Sequence, residues 1–259
     1  MEKKASENNS TMLAKLIGIL DCFTLYDPIL SSKEIGEKIG IHNSSLFRYI
    51  SNLCEYDLLE KDPATGKYML GMRAVQMGGI RLSCIDALRV GFTDMDQLCK
   101  EAHCNVNMAV LYKGDSLHIH YVLGNESPSR THTVIGRRTP AHMTALGKAI
   151  YAYMPRKKVH EIIETYGWRS KLTINSLDSF KRLDADLDAI VERGYAIDNM
   201  ESSMETYCIA APIFHQNREA VAAISLSSKT DLIIKMENQM RKSLISHAKN
   251  ISYKLGYFE

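Results

Sequence analysis

The apolar positions change period along the chain. Leu13, Leu16, Ile17, Leu20 and Phe23 recur at spacings of three and four, which predicts a helix with one buried face. Asp27-Pro28 breaks it. Ser31 stands three residues before Glu34, a capping box that opens a second, short helix. Ile35 and Ile39 are its apolar face and Gly40 its stop. A third helix is predicted roughly over 42–55, with Leu46, Ile50 and Leu53 inward. Residues 58–61 and 67–70 read as two short strands around the turn Asp62-Pro63-Ala64-Thr65-Gly66.

No proline interrupts 73–103, which predicts one long helix or a kinked pair with Gly78-Gly79 as the expected break. Ile85, Leu88, Phe92, Met95, Cys99 and Ala102 form an a/d seam along it. That seam packs on its own domain, on another subunit, or on each in part. From Asn105 the pattern turns to strands, VNMAVLYKG and SLHIHYVLG, with a turn at Lys113-Gly114-Asp115. Helical segments follow at 142–154, 156–166 and 176–193. The strands YAIDNM, CIAAPIF and AVAAISLS come next, then a last helix over 231–256. Elements mixed in this way predict an α+β domain with an antiparallel sheet.

Three helices followed by a hairpin form a winged helix-turn-helix pattern, whose third helix enters the DNA major groove. His42, Asn43, Ser44, Ser45, Arg48, Tyr49 and Asn52 are expected outward or at the start of that helix. Asn pairs with adenine and Arg with guanine, while Ser and Tyr hold phosphates. Ser32 near the second helix and Lys61, Thr65 and Lys67 on the wing complete the expected DNA-binding set.

Composition narrows the class. The 259 residues are 45% hydrophobic and 24% charged, which excludes a disordered, collagen-like or low-complexity protein. The first ten residues are expected to be a disordered tail. A net charge of +2 gives no global preference for a polyanion. Residues 1–75 carry nine Lys/Arg against ten Asp/Glu, but no carboxylate lies between Glu37 and Glu55. The DNA face is therefore neutral to basic locally, and a winged helix used only for protein contacts is the alternative. No apolar run reaches the roughly 18 residues of a membrane span, and the polar start has no secretory core. The six cysteines make no CxxC pair, so free thiols in a reducing cytoplasm are expected.

Two stretches of the second half raise the specificity. One is GRRTPAHMTALGKA at 136–149; the other runs from RGYAID at 193–198 through Glu201 to CIAAPI at 208–213, with AISLS at 223–227 behind it. With GIHNSSLFR at 40–48 and KYMLG at 67–71, they resemble the IclR family of bacterial transcription regulators over residues 11–256. The resemblance implies a winged helix over 11–72, a linker and dimerisation helix over 73–103, and an effector-binding domain similar to GAF domains over 104–259. It also implies homodimers or dimers of dimers on palindromic double-stranded operator DNA, with a small organic acid, aromatic acid or sugar acid as effector. Asp198, Cys208, Ser225 and Ser227 match the family positions that line the effector pocket.

Physical reasons accompany that match. Pro140-Ala141-His142 leads into a helix whose N-terminal N–H groups can receive a carboxylate beside Ala145, Leu146 and Gly147. Ser225 and Ser227 share one side of a strand, and only one of Asn107 and Met108 can face the pocket. One departure from the family is Glu205, where a glycine usually stands three residues before the cysteine.

Other readings are weaker. His118 and His120 lie two apart on a strand and would share a face, yet no ligand spacing supports a metal. Cys208 lacks a partner at any fixed spacing for nucleophilic chemistry. Arg137-Arg138 attracts an acidic effector or is a solvated strand end, and the basic run at 156–158 reads as a solvated helix start. No cofactor, metal, membrane contact or catalytic residue is expected. A small-molecule enzyme on the C-terminal domain remains the rival class.

Overall fold

The structure is a computed structural model that describes residues 2–41, 43–124, 135–168 and 172–258. For 2–11, 43, 44, 206 and 228–237 it is the backbone that is described. The chain forms two compact units, residues 1–82 and 83–259.

The first unit begins with α1 (Glu2–Asp21), α2 (Ser32–Ile39) and α3 (Asn43–Glu55). It continues with β1 (Leu59–Lys61), β2 (Tyr68–Leu70) and α4 (Met72–Ser83). The disordered tail expected at 1–10 is replaced by helix from Glu2 onward. Its Glu, Lys and Ala residues are good helix formers, and no Gly or Pro interrupts them before Gly18. The capping box is formed: the Glu34 N–H donates to Ser31 Oγ at 3.2 Å, and the Ser31 N–H donates to Glu34 Oε2 at 2.6 Å. Gly40 ends α2 in the left-handed region at φ 67°. Leu46, Tyr49, Ile50 and Leu53 of α3 pack with Ile19, Leu30 and Ile35 into the core of the unit. β1 and β2 pair antiparallel, Glu60 opposite Met69.

Gly78-Gly79 does not break the next helix. α4 runs through both, and the break falls at Cys84 and Ile85, where Ile85 is extended at φ −96°. Both glycines meet open space. A glycine in a helix costs stability but does not forbid the conformation.

The second unit starts with α5 (Asp86–Ala102), β3 (Asn105–Tyr112), β4 (Asp115–Val122) and β5 (Arg138–Pro140). A 3-10 turn (Ala141–Met143) leads to α6 (Ala145–Tyr151), α7 (Arg156–Tyr166) and α8 (Phe180–Arg193). β6 (Ala196–Asn199), β7 (Thr206–Phe214), β8 (Ala220–Lys229) and α9 (Thr230–Lys254) complete it. The six strands form one antiparallel sheet in the order β5-β4-β3-β8-β7-β6. α5 and α9 cover one face and α6 the other. Asp94 ties α5 to α9: its carboxylate accepts from Asn250 Nδ2 at 2.6 Å and Lys254 Nζ at 2.6 Å. Burial works against the ionised form of Asp94, but Lys254, Asn250 and His247 hold its pKa below the ordinary carboxylate value.

α6 lies close to the chain that precedes it, and Gly147 is the reason it can. A Cβ there would stand 2.3 Å from the Ala141 carbonyl oxygen. Gly147→Ala is therefore expected to destabilise the second unit by about 1–3 kcal/mol through a backbone clash. Gly79→Ala, on the open face of α4, is expected to stabilise its helix by up to ~1 kcal/mol. Urea unfolding of the two variants beside the parent chain checks both signs.

Candidate functional site

In the first unit, the stripe Leu46, Tyr49, Ile50, Leu53 sets which side of α3 is free. Arg48 is exposed, its guanidinium 5.5 Å from the Tyr49 ring centroid. Ser45 and Asn52 are half-buried. Tyr49 corrects the sequence expectation: it is 6% exposed and belongs to the core, because position 49 completes the i, i+3, i+4, i+7 stripe begun at Leu46. His42 lies outside the described residues, as do the side chains of Asn43 and Ser44. Sequence reasoning leaves out the outward Ser51, Glu55 and the 52%-exposed Phe47. Phe47 sits off the buried stripe, which was the signal available.

The half-buried Ser32 opens α2. On the wing, Lys61 and Thr65 are exposed and Lys67 half-buried. Lys61 Nζ lies 5.7 Å from the Tyr68 ring centroid, and Lys67 Nζ lies 3.8 Å from Glu34. The Thr65 hydroxyl donates to Asp62 Oδ2 at 2.6 Å, so it shapes the turn.

In the second unit, a cavity of about 220 Å³ opens between α6 and the sheet. All six strands contribute to its floor: Thr139 from β5, His118 from β4, Asn107 from β3, Ser225 and Ser227 from β8, Cys208 from β7, Asp198 from β6. Ala145 and Leu146 form the α6 side. Successive strand residues alternate faces, so Met108 beside Asn107 turns the other way. It is fully buried against α5 and α9: its Cε lies 2.8 Å from where a Cβ on Gly91 would be, and Ile251 lines the same spot. Met108 is thus core. Gly147 is also absent from the cavity lining, since its role is the close approach to Ala141.

A β-bulge decides what β4 presents. Met108 pairs with His120 and the next residue, Ala109, with His118, leaving Ile119 as the extra residue. His118 and His120 therefore do not share a face. His118 lines the cavity, while His120 meets Phe92 of α5, ring centroids 4.7 Å apart. Burial, helped by the nearby Arg137 charge, pushes the His118 pKa down to about 4, so the ring is neutral near pH 7.

The two ends of the cavity differ: at the β6 end Asp198 is engaged within its own turn, although Glu201 Oε2 behind it has no partner among the described residues, and at the other end several lining atoms are unmet. At the β6 end, Asp198 Oδ1 accepts from the Glu201 N–H at 2.7 Å, and Oδ2 accepts from the Ser202 hydroxyl at 2.5 Å. Burial pushes the Asp198 pKa up, against those hydrogen bonds and the Lys148 charge. Lys148, fully buried on α6, reaches Glu201 at 2.5 Å and Asp186 of α8 at 2.7 Å, which anchors the same turn. At the β3-β4-β5 end, the buried atoms Asn107 Oδ1, His118 Nδ1 and Thr139 Oγ1 have no hydrogen-bond partner among the described residues. Arg137 borders that end, and no carboxylate among the described residues pairs with it.

Sequence reasoning did not place His118, Thr139, Thr144, Leu172, Ser202 or Ser203 in this lining. β5 is three residues long and gave no periodic signal, and the bulge cannot be read from alternation. Glu205 stands at the exposed rim with an ordinary backbone, the positive φ in this loop falling at Met200. It does not need a glycine's freedom. Burial, with Asp198 adding to it, keeps the Cys208 thiol well above its ordinary pKa. A neutral thiol is a poor nucleophile.

Known proteins are similar to this chain in sequence and fold. Residues 82–253 match the family described as bacterial transcriptional regulator IclR C-terminal, and residues 12–63 match the IclR helix-turn-helix domain. The HTH-type transcriptional regulator XynR of Escherichia coli (strain K12) is 27% identical over 244 residues, 94% of this chain and 96% of its own. The crystal structure of the Thermotoga maritima IclR superposes with a TM-score of 0.77 at 26% identity, over 96% of this chain and 100% of that one. An IclR homolog from Microbacterium hydrocarbonoxydans, complexed with 4-hydroxybenzoate, shares the fold at a TM-score of 0.80 and 20% identity, over 94% and 98% of the chains. Among the described residues no helix is long and apolar enough to cross a membrane.

The Lys148 cluster gives a pH prediction. Burial raises Glu201 from 4.5 to about 7, with Lys148 offsetting part of the shift. Between those values the folded chain keeps a proton that the unfolded chain has lost. This contribution to stability is complete below the unfolded pKa and is lost as pH rises through the folded one. Relative to Glu201→Gln, the parent chain is expected to lose stability between about pH 5 and about pH 8. His118 acts with the opposite sign, losing its contribution as pH falls through about 4, and cancels in the comparison. Denaturation midpoints across that range check it; a flat difference would show Glu201 ionised throughout.

Proposed function

The chain belongs to the IclR family of bacterial transcription regulators, and from that premise we propose that a small carboxylate held in the sheet cavity modulates its operator binding. It is a DNA-binding regulator by family. The observation that carries the effector reading is the cavity itself: a buried row of polar groups, three of them without partners among the described residues, bordered by Arg137. Buried polar atoms in native proteins are nearly always satisfied, so whatever fills the cavity has to meet this cluster, and a polar ligand does so. With His118 neutral and Asp198 engaged by its own turn, Arg137 sets the sign of the ligand's charge. The Ser225 and Ser227 hydroxyls and the Ala145–Leu146 edge of α6 complete the site. The 4-hydroxybenzoate held by the Microbacterium homolog supports a carboxylate class.

On the DNA side, the exposed Arg48 and the start of α3 read bases, while Ser32 and the wing residues Lys61, Thr65 and Lys67 lie along the backbone. The acting form is a homodimer or a dimer of dimers. Along α4 no residue is buried, and Met72, Val75, Met77 and Ile80 are exposed, which supports a second copy packing there. We read the cavity as a binding site and not a catalytic one: its Cys208 thiol, held neutral by burial, is a poor nucleophile.

Fluorescence anisotropy on DNA from upstream of the chain's own gene tests this reading, with salt and carboxylates titrated. Tight, sequence-dependent binding that one carboxylate alters is expected. Binding that salt abolishes equally for every sequence would overturn it. Arg48→Ala is expected to weaken specific binding by about 1–3 kcal/mol while leaving the fold intact. Unchanged specific binding by that variant would remove Arg48 from the reading face.

A further inference from the structure

The two ends of the cavity ask different things of a ligand. Asp198 is already hydrogen-bonded within its own turn and leaves little for a ligand to complete. The other end is incomplete at three atoms on three neighbouring strands, Asn107 Oδ1, His118 Nδ1 and Thr139 Oγ1. Asn107 is only 4% exposed, and its Nδ2 donates to Ser227 Oγ at 3.1 Å, which leaves Oδ1 as the free end of the amide. Amide oxygen only accepts, so neither a carboxylate nor a ketone satisfies it; a hydroxyl does. A threonine hydroxyl donates or accepts, and a neutral imidazole nitrogen takes either role by tautomer. Arg137 has only donors and takes the carboxylate. Neighbouring strands lie about 4.8 Å apart, so the three atoms spread over roughly 10 Å of the floor. The volume of about 220 Å³ is below the range of drug-sized ligands.

We propose that Asn107, His118 and Thr139 form a specificity wall that reads hydroxyl groups along the chain of a five- or six-carbon hydroxylated carboxylic acid. The assignment rests on the reading of this cavity as the effector site. It separates that acid from aromatic and unsubstituted acids of similar length. Those ligands satisfy Arg137 but leave the wall unpaired, and a site built to hydrogen-bond a hydroxyl rejects analogues that lack it.

Calorimetry on the full chain tests the wall, with Trp168 fluorescence as a second readout, since it is the single tryptophan and stacks on His142 at 4.6 Å. The probes are the straight-chain five- and six-carbon aldonates, hexanoate and benzoate. At least one aldonate is expected to bind tenfold or more tighter than hexanoate and benzoate. Thr139→Val is expected to lower that ratio at least tenfold, and Thr139→Ser, which restores the hydroxyl, to recover it. Benzoate or hexanoate binding as tightly as every aldonate would overturn the wall and leave the cavity a carboxylate site. A ratio unchanged in Thr139→Val would remove Thr139 from it. No binding of any probe by a parent chain that still binds its operator would overturn the carboxylate reading, and the wall with it.

Discussion

A sheet covered on both faces cuts every side chain it turns inward off from water, and the second unit is organised around how it meets that constraint. On the face toward α5 and α9 the answer is apolar packing, with Met108, Ile209 and Leu226 fully buried. On the face toward α6 the six strands carry a polar row. Leaving such groups unpaired costs roughly 1–3 kcal/mol each. The fold therefore either supplies partners or leaves a space in which something else does. It does both, at opposite ends of one cavity.

The β6 end is held by charge. Lys148 is buried on α6 and bridges Glu201 after β6 to Asp186 on α8. Removing Lys148 takes away the one cation that Glu201 and Asp186 share, which is far costlier than losing a surface pair. The cluster fixes the turn that carries Asp198 and Ser202, so this end of the cavity is set before any ligand arrives. Ser176 adds to it by donating to the Glu201 carbonyl at 2.7 Å. The rigidity matters because a ligand gains most from groups that need no reordering when it binds.

Much of this was legible in the sequence where a single period governs an element. The capping box at Ser31 and Glu34, the stop at Gly40 and the strands behind Cys208, Ser225 and Ser227 follow from local rules. The errors came where local rules are silent. Tyr49 carries a polar tip, yet its position in the helical stripe buries it. Gly78-Gly79 predicts a helix break, but a helix tolerates glycines that touch nothing. Alternation places His118 and His120 on one face because it assumes an unbroken strand, and one extra residue at Ile119 reverses it. The short β5 and its Thr139 had no pattern to announce them, since three residues cannot display a period.

If the cavity is the effector site, as proposed, the same bulge bears on regulation. A ligand shifts an equilibrium only by its unequal affinity for two states, and a tenfold change in operator affinity needs only about 1.4 kcal/mol of such difference. By turning His118 into the cavity beside Asn107 and Thr139, the bulge gathers three unmet hydrogen-bonding atoms on one wall. Each hydrogen bond completed there contributes on the order of 1 kcal/mol net. Completing the wall in one state and not the other thus supplies more than a tenfold effect requires. A wholly apolar lining lacks this reserve, because the ligand would add contact area in both states alike. A ligand that completes the wall in one state only acts on the equilibrium through hydrogen bonds made in that state alone.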